Sequence, residues 1–407
     1  MCRYAGITIF QHIDLINLMY LPKVKNLTLL APLSLLYGLG VWVRNKMFDW
    51  GQKKSTSFED IVPIICVGNL AVGGTGKTPH TEYLVNLLHR NGYGPIAVLS
   101  RGYKRHSKGY HVAMPRDGKD SDGKVTAALI GDEPYQLYRK FPFLIVAVDA
   151  NRVHGINELL KLPITPQVII LDDAMQHRYV KPGLTICLSS YHRIMYKDML
   201  LPAGRLREPM SNVSRAEMLI VTKCPKTLRS EEETEILANI PTRLDQPVLY
   251  SAYQYGRLVN LNTLEECDID HSTDVLIVAG IADPKVMADY VHTHYRLLDI
   301  ISFGDHHHFS DKDIETIKAR LDGVNGKENV SDGSGRQAVI ITTEKDAARL
   351  VHHPAVNDEL RQRIYYLPTE VYFLKNHAEK FDKIVLDYVR KPRAGVVKGS
   401  NLTIGKY

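Results

Sequence analysis

The sequence predicts an α/β protein of two domains, each with a mostly parallel sheet covered by helices. At 407 residues the chain exceeds what one hydrophobic core usually supports. Short apolar runs rich in β-branched residues alternate with helical patterns, and this alternation is typical of βαβ units. The runs are apolar on both faces, as strands are when helices cover both sides of a parallel sheet.

The strand-like runs fall into two series along the chain. The first series comprises 61–67, 96–99, 144–148, 168–171, 184–188 and 219–221, and the second comprises 275–279, 297–302, 339–342 and 365–367. We therefore predict four segments: a membrane-associated N-terminus (1–45), a first domain (46–235), a smaller C-terminal α/β domain (236–390) and a basic tail (391–407). Two stretches rich in Gly, Asp, Lys and Ser, 116–124 and 323–336, are predicted to be loops.

The composition is that of a globular protein. Hydrophobic residues at 44% and charged residues at 24% exclude a disordered chain and a polytopic membrane protein. The formal net charge of +6 suits an anionic membrane face or phosphorylated ligands, and it does not require nucleic acid as a partner. The five cysteines form no C-x-x-C pair, which favours a reducing cytoplasm. Cys66 and Cys187 lie in apolar runs and are predicted to be packing residues.

An uncharged segment near the N-terminus, LTLLAPLSLLYGLGVWV at 27–43, has the composition of a membrane helix. Two lysines precede it, and Arg44 and Lys46 follow it. The segment is shorter than the ~20 residues that a spanning helix needs, and Pro32 and two glycines are expected to weaken a regular helix. An anchor lying on the bilayer is as consistent with this pattern as a span. The alternative is a buried first helix of the globular core.

The stretch GNLAVGGTGKT at 68–78 lies between an apolar run and a helical pattern. The G-x-x-x-x-G-K-[ST] template has glycine where this chain has Ala71, but the later glycines still allow backbone N–H groups to wrap phosphate oxygens at a helix N-terminus. The lysine would neutralise the β- and γ-phosphates, and the final threonine hydroxyl would bind Mg²⁺. The predicted ATP-binding residues are Ala71, Val72, Gly73, Gly74, Thr75, Gly76, Lys77 and Thr78.

Two acid pairs follow apolar or helical signals. The run VIILDD ends in Asp172 and Asp173, and paired carboxylates at a strand end favour a Mg²⁺ role over surface charge. Asp132 and Glu133, in the stretch GDEP, have two equally suitable interpretations, of which the first is the N-terminal signal of a helix. Phosphoryl transfer to an alcohol also needs a carboxylate base near the hydroxyl, and either residue of this pair could supply it.

Three consecutive histidines lie in FGDHHHF at 303–309. Neighbouring side chains in an extended segment point to alternate faces, so the three cannot all bind one metal ion. One histidine that faces the interdomain cleft and tunes a catalytic carboxylate is the sharper hypothesis.

In this order, the motifs resemble those of the tetraacyldisaccharide 4'-kinases, which phosphorylate the lipid A precursor. The resemblance extends from about Leu27 to Val371. No single motif is decisive, but the ordered set is highly specific. The motifs are VGNLAVGGTGKT (67–78), SRGY (100–103), GDEP (131–134), DDAMQH (172–177), LPAGRLRE (201–208), AGIA (279–282), DHH (305–307) and TEKD (343–346).

The resemblance implies two P-loop-like α/β/α domains joined by a linker, with MgATP in the cleft and residues 46–235 as the kinase domain. It implies transfer of the γ-phosphoryl group to the 4'-hydroxyl of tetraacyldisaccharide 1-phosphate, giving lipid IVA. Asp132, paired with His306, would deprotonate that hydroxyl, and Lys77 would assist catalysis. Metal ligands would be Thr78, Glu133, Asp172 and Asp173. Residues on matching positions that would contact phosphates or substrate are Asn69, Arg152, Gln176, His177, Arg205 and Arg207.

The resemblance also implies a location at the cytoplasmic face of the inner membrane of a Gram-negative bacterium. It implies no nucleic acid and no obligatory protein partner. An alternative of a different class is a P-loop ATPase that drives a conformational or metal-insertion task, which would not need an acceptor base such as Asp132. A soluble kinase for another small metabolite would leave the segment 27–43 without a purpose.

Overall fold

A computed structural model describes residues 30–115, 125–281, 284–304, 307–328, 337–351 and 353–393. The predicted loop 116–124, the predicted catalytic His306 and most of the tail lie outside these residues. Of the predicted loop 323–336, residues 323–328 belong to a helix that continues to Glu328, and residues 329–336 lie outside the described residues.

Within the described residues the larger sheet has nine strands. It is parallel except at its two edges, where β4 (His111–Ala113) and β17 (Thr369–Phe373) are antiparallel to their neighbours. In spatial order its strands are β17 (Thr369–Phe373), β10 (Val248–Tyr255), β9 (Met218–Thr222), β8 (Leu184–Ser190), β2 (Ile64–Asn69), β6 (Val168–Asp172), β3 (Ile96–Ser100), β5 (Ile145–Val148) and β4 (His111–Ala113). Its central strands are buried along their whole length, as the two-sided apolar runs predict. A separate parallel pair joins β1 (Thr56–Ser57) to β7 (Val180–Lys181).

Helices and short 3₁₀ turns connect these strands. The helices are α1 (Ala31–Asp49), α2 (Lys77–Arg90), α3 (Ala127–Ile130), α4 (Asp132–Lys140), α5 (Arg152–Leu160), α6 (Ser230–Asn239) and α11 (His377–Arg390). The 3₁₀ turns are Tyr191–Arg193, Met195–Lys197 and Met210–Arg215.

The smaller sheet has six strands, of which the four consecutive ones β16, β15, β13 and β14 are parallel. In spatial order its strands are β12 (Glu266–Cys267), β11 (Leu258–Asn260), β16 (Ile364–Leu367), β15 (Val339–Thr343), β13 (Asp274–Ala279) and β14 (Arg296–Ser302). Its helices are α7 (Lys285–His294), α8 (Asp311–Glu328), α9 (Glu344–Leu350) and α10 (Asp358–Gln362). The predicted fold class, mixed α/β with mostly parallel sheets, is confirmed.

The two sheets do not divide the chain at one point. The predicted boundary after residue 235 precedes β10, which pairs with β9 and so extends the larger sheet. After the smaller sheet is complete, β17 returns to pair with β10, and the Phe381 and Val385 side chains of α11 are buried in the larger core. One edge strand of the larger sheet, β17, therefore follows the last strand of the smaller sheet in the chain.

Helix α1 lies on the surface of the larger unit. Pro32 occupies its first turn, where a missing N–H costs nothing, and the helix is continuous through both glycines. One side is buried at Ala31, Ser34, Gly38, Asn45 and Phe48, whereas Leu33, Leu36 and Leu39 are 51%, 67% and 48% exposed. The alternative of a buried core helix is therefore wrong. No helix in the described ranges combines the length and the hydropathy needed to cross a bilayer.

Candidate active site

The glycine loop between β2 and α2 has backbone geometry that only glycine supplies without strain. Gly73 and Gly76 have φ values of +108° and +92°, in the left-handed region. At Gly76 a Cβ atom would also lie 1.9 Å from the Tyr253 hydroxyl oxygen. The loop therefore leads directly into the first turn of α2, where free backbone N–H groups can face an anion.

Side chains from neighbouring strands hold this loop in place. Asn69 is fully buried, and its Nδ2 donates to Thr75 Oγ1 at 2.7 Å, while the Thr222 hydroxyl donates to the Thr75 carbonyl at 2.7 Å. His80 Nδ1 donates to the Gly76 carbonyl at 2.7 Å, and its Nε2 lies 2.9 Å from Ser251 Oγ. Burial lowers the pKa of His80 to about 4, so its ring is neutral at physiological pH. The neutral ring matches one donated and one accepted hydrogen bond.

The segment that carries the predicted substrate arginines runs alongside the glycine loop. The Val72 N–H donates to the Arg205 carbonyl at 2.8 Å, and the Arg207 N–H donates to the Leu70 carbonyl at 2.7 Å. Arg205 is exposed, with its guanidinium near Gly73. Arg207 forms an ion pair with Asp173 at 3.1 Å. Two cationic side chains therefore border the loop on this side.

Gln176 joins three parts of the site. Its Nε2 donates to the Asn69 carbonyl at 2.6 Å, and its Oε1 accepts from Arg207 at 3.3 Å. Its own carbonyl accepts from Arg44 of helix α1 at 2.7 Å. Gln176 thus connects the surface helix to the start of the glycine loop, through its backbone carbonyl on one side and its side-chain amide on the other.

The first acid pair lies at the carboxyl end of β6, beside the glycine loop, as predicted. Lys77 Nζ is 3.7 Å from Asp173 Oδ2. Asp172 is 5% exposed, and its Oδ1 has no hydrogen-bond partner within the described part of the chain. Burial raises the pKa of Asp172, and the nearby carboxylates of Glu133 and Asp173 raise it further. Because Glu133 acts electrostatically on Asp172, the second acid pair contributes to the same site as the first.

The donor set at this point suits Mg²⁺ bound together with a nucleotide. Mg²⁺ is usually held by one or two carboxylates and by substrate phosphates, and an unpaired buried carboxylate oxygen such as Asp172 Oδ1 is costly without a cation. Among the described residues no ready cluster of three or more His, Cys, Asp or Glu side chains is present. Asp173 is already paired with Lys77 and Arg207, so Asp172 has the freer oxygen of the two.

The second acid pair opens helix α4, as its alternative interpretation predicts, and it also faces the site. Asp132 is the first residue of α4, and both Nε and Nη2 of Arg349 donate to its Oδ2, at 3.1 and 2.6 Å. Arg349 belongs to α9 of the smaller unit. The candidate base is therefore held across the boundary between the two sheets.

Arg152 and His177 differ in their surroundings. Arg152 is 3% exposed and donates to the carbonyls of Asp149 and Asp172. His177 is partly buried; burial, followed by the positive charges of Arg152 and Arg44, lowers its pKa to about 4. The Arg152 contacts place this residue beside the acid pair at the end of β6, whereas His177 Nε2 is buried with no hydrogen-bond partner in the described part of the chain.

Sequence reasoning missed Lys223, Tyr253 and Arg349. Lys223 follows β9 with a φ of +59°, and its Nζ lies 3.7 Å from the position that a Cβ on Gly74 would take. Burial, followed by Arg193, lowers the pKa of Lys223, and its ammonium lies 5.8 Å from the centre of the Tyr253 ring. The only signal in the sequence is a basic residue directly after an apolar strand, at the edge where open parallel sheets bind ligands.

Comparisons with known proteins show which family this chain resembles. A family model described as LpxK, tetraacyldisaccharide-1-P 4'-kinase, matches residues 26–390. A tetraacyldisaccharide 4'-kinase of Bacteroides thetaiotaomicron is 46% identical over 374 residues, which are 89% of this chain and 93% of that protein. The enzyme of the same name from Flavobacterium johnsoniae is 42% identical over 368 residues, which are 89% of this chain and 97% of that protein.

A solved structure is also similar. The crystal structure of LpxK from Aquifex aeolicus in complex with ATP has a TM-score of 0.66 and 28% sequence identity, and the match covers 88% of this chain and 98% of that chain. The family and the kinase class predicted from the sequence are confirmed. From its motifs, its fold and these relatives, the chain belongs to the tetraacyldisaccharide-1-phosphate 4'-kinase family.

Proposed function

We propose that this protein transfers the γ-phosphoryl group of ATP to the 4'-hydroxyl of a tetraacyldisaccharide 1-phosphate, a lipid A precursor, giving lipid IVA. The observation that carries the proposal is the meeting of the glycine loop with both acid pairs. Lys77 lies 3.7 Å from Asp173, and the carboxylate of Glu133 is close enough to raise the pKa of Asp172. An ATP phosphate bound at the loop would therefore be within reach of carboxylates on two different elements.

In this proposal ATP binds with its phosphates on the loop of residues 71–78. Backbone N–H groups at the start of α2 and the Lys77 ammonium neutralise the phosphate charge, which is the main task in phosphoryl transfer. Asp172, Glu133 and the Thr78 hydroxyl would hold Mg²⁺, which supplies further charge neutralisation on the phosphate oxygens when bound. Arg205 and Arg207 extend the positive surface from the loop towards the phosphorylated acceptor.

Asp132 acts as the base for the acceptor hydroxyl. It accepts the hydroxyl proton as the oxygen attacks the γ-phosphorus, the bond to the β-phosphate oxygen breaks, and ADP leaves with that oxygen. This acceptor base is the feature that a P-loop ATPase with no phosphorylated product would not need. His306, the partner implied by the family resemblance, lies outside the described residues.

The exposed side of α1 supports a membrane location for this site. We name Leu33, Leu36 and Leu39 the leucine face; these three side chains are each about half or more exposed. An exposed apolar face of this kind favours contact with the bilayer interface, and basic residues such as Lys46 can contact anionic headgroups. Since ATP is supplied in the cytosol, the protein would lie on the cytoplasmic face of the inner membrane.

The experiment mixes purified protein with ATP, Mg²⁺ and tetraacyldisaccharide 1-phosphate in detergent micelles and follows the lipid by mass spectrometry. We expect one added phosphate on the lipid and its loss in Lys77→Ala. Lys161→Ala is the matched control, since this lysine forms an exposed ion pair with Glu158 and contributes little. Hydrolysis of ATP with an unchanged lipid would contradict the proposal and favour the ATPase alternative.

A further inference from the structure

We propose that Arg349 is a positioning residue for phosphoryl transfer, because it holds the Asp132 carboxylate in a fixed orientation from the opposite sheet. This inference rests on the proposed function, in which Asp132 is the base. The comparisons assign no role to Arg349, and the sequence pattern of α9, EKDAARL, is that of an ordinary helix.

The contact between the two side chains is double and shielded from solvent. Two nitrogens of Arg349, Nε and Nη2, donate to the same oxygen of Asp132, Oδ2, at 3.1 and 2.6 Å. The side chain of Arg349 is 6% exposed and that of Asp132 is 20% exposed. Two bonds to one oxygen hold Oδ2 in place, and Oδ1 is then the oxygen that accepts the proton in the proposed reaction.

Arg349 is itself fixed from the smaller sheet. The Nη1 of Arg349 donates to Asp346 Oδ1 at 3.1 Å, and Asp346 is fully buried. Asp346 Oδ2 accepts from the Gly280 N–H at 2.8 Å and from the Thr343 hydroxyl at 2.7 Å. The guanidinium is therefore braced by groups at the ends of β13 and β15, which leaves it little freedom to turn. Arg349 therefore links the Asp132 carboxylate to the strand ends of the smaller sheet.

A second contact between the same two helices makes a purely structural role for Arg349 less suitable. Lys140, at the far end of α4, forms ion pairs with Glu344 of α9 at 2.9 Å and with Glu82 of α2 at 2.7 Å. These pairs join the larger and smaller units without Arg349. Loss of the Arg349 contact should therefore free the Asp132 side chain while the two helices stay together.

The inference predicts a loss of turnover without a loss of nucleotide binding. Misplacement of a reacting group by about 1 Å costs about 100-fold in rate, so we expect Arg349→Gln to lower kcat about 100-fold. The KM for ATP should change less than about twofold, because the phosphate contacts lie on the glycine loop. Arg349→Lys keeps the charge but not the two-donor geometry, and we expect it to recover about tenfold of the loss.

The test measures kcat, KM for ATP and the unfolding temperature for Arg349→Gln, Arg349→Lys, Asp132→Asn and the double variant of Arg349→Gln with Asp132→Asn. Arg320→Gln is the control, because Arg320 forms an exposed ion pair with Asp299 in the smaller unit. In the Asp132→Asn background, Arg349→Gln should cost less than about threefold, since a positioning residue acts through the group that it positions.

Two different results would overturn the inference. One is near-wild-type turnover of Arg349→Gln beside an inactive Asp132→Asn, and the other is the same 100-fold loss in both backgrounds. If Arg349→Gln does not fold, Arg349→Lys decides in its place, and wild-type turnover in that variant overturns the inference. A wild-type rate for Asp132→Asn would instead refute the base assignment in the proposed function.

Discussion

Gly76→Ala is expected to damage the glycine loop for two separable reasons. An alanine with the φ of +92° found at Gly76 costs about 1–2 kcal/mol in backbone strain. Its Cβ would also lie 1.9 Å from the Tyr253 hydroxyl oxygen and 3.1 Å from the ring carbon that bears it. Overpacking of this kind costs about 1–3 kcal/mol, so the total is about 2–5 kcal/mol.

Gly92→Ala separates the two contributions. Gly92 follows the C-terminal end of the same helix with a φ of +79°, and no heavy atom lies within 4 Å of the position of its Cβ. We expect Gly92→Ala to lose only the strain, about 1–2 kcal/mol. Tyr253→Phe removes the clashing oxygen, so the double variant of Gly76→Ala with Tyr253→Phe should regain part of the loss.

The assays are urea unfolding and calorimetric titration with ATP. The same clash and strain oppose the loop conformation that holds phosphate, so part of this free energy also opposes ATP binding. Since about 1.4 kcal/mol corresponds to a factor of ten in affinity, we expect ATP binding to weaken about tenfold in Gly76→Ala and to remain unchanged in Gly92→Ala, which lies outside the loop. Wild-type ATP affinity in Gly76→Ala would refute this reasoning. A double variant no better than Gly76→Ala alone would refute the part assigned to Tyr253.

Three further predictions concern separate parts of the molecule. Burial lowers the pKa of His80 from 6.5 to about 4, so its contribution to stability is complete above pH 6.5 and is lost as the pH falls towards 4. Urea unfolding should show a loss of about 3 kcal/mol over this range from His80, which His80→Gln removes from the pH dependence. Lys223→Ala should weaken ATP binding about tenfold, because the Lys223 ammonium lies near Gly74 of the glycine loop. Lys226→Ala, at an exposed neighbour, should leave ATP binding unchanged. Equal ATP affinities of the two variants would count against a contact between Lys223 and an ATP phosphate. Serine at all three positions of the leucine face should abolish sedimentation with anionic vesicles, while Leu244→Ser, at another exposed leucine, should leave it intact; unchanged sedimentation of the triple variant would exclude this face as the membrane contact.

Much of the fold follows from local patterns in the sequence. The ten predicted strands are all present, and most of them are central strands, which must be apolar throughout because both faces are covered; β14, at the edge of the smaller sheet, is partly exposed. Among the strands that were not predicted, β10 and β17 mix tyrosines and polar residues with aliphatic ones. They also pair with each other across more than a hundred residues of chain, and no local pattern encodes such a pairing. The predicted domain boundary after residue 235 stays a prediction; β10 lies beyond it and pairs with β9 of the larger sheet.

The site shows the same division between local and long-range information. The glycine loop and the Asp172 pair are predictable because each is a strand end with its own signature. The Asp132 pair has two interpretations in the sequence, and the structure contains both: a helix start and a group that faces the site. Arg349 carries no signature, because its contact with Asp132 depends on how two sheets pack together.

The most direct test of this account is a single-turnover measurement of phosphate transfer to the lipid acceptor. Wild-type protein and Asp132→Asn are each loaded with ATP and mixed with tetraacyldisaccharide 1-phosphate, and the ATP dissociation constant is measured in parallel. We expect Asp132→Asn to slow transfer by about 10²–10⁴-fold with ATP affinity unchanged, as loss of a general base does. Transfer at the wild-type rate in Asp132→Asn would contradict the claim that this carboxylate and the glycine loop act on the same terminal phosphate.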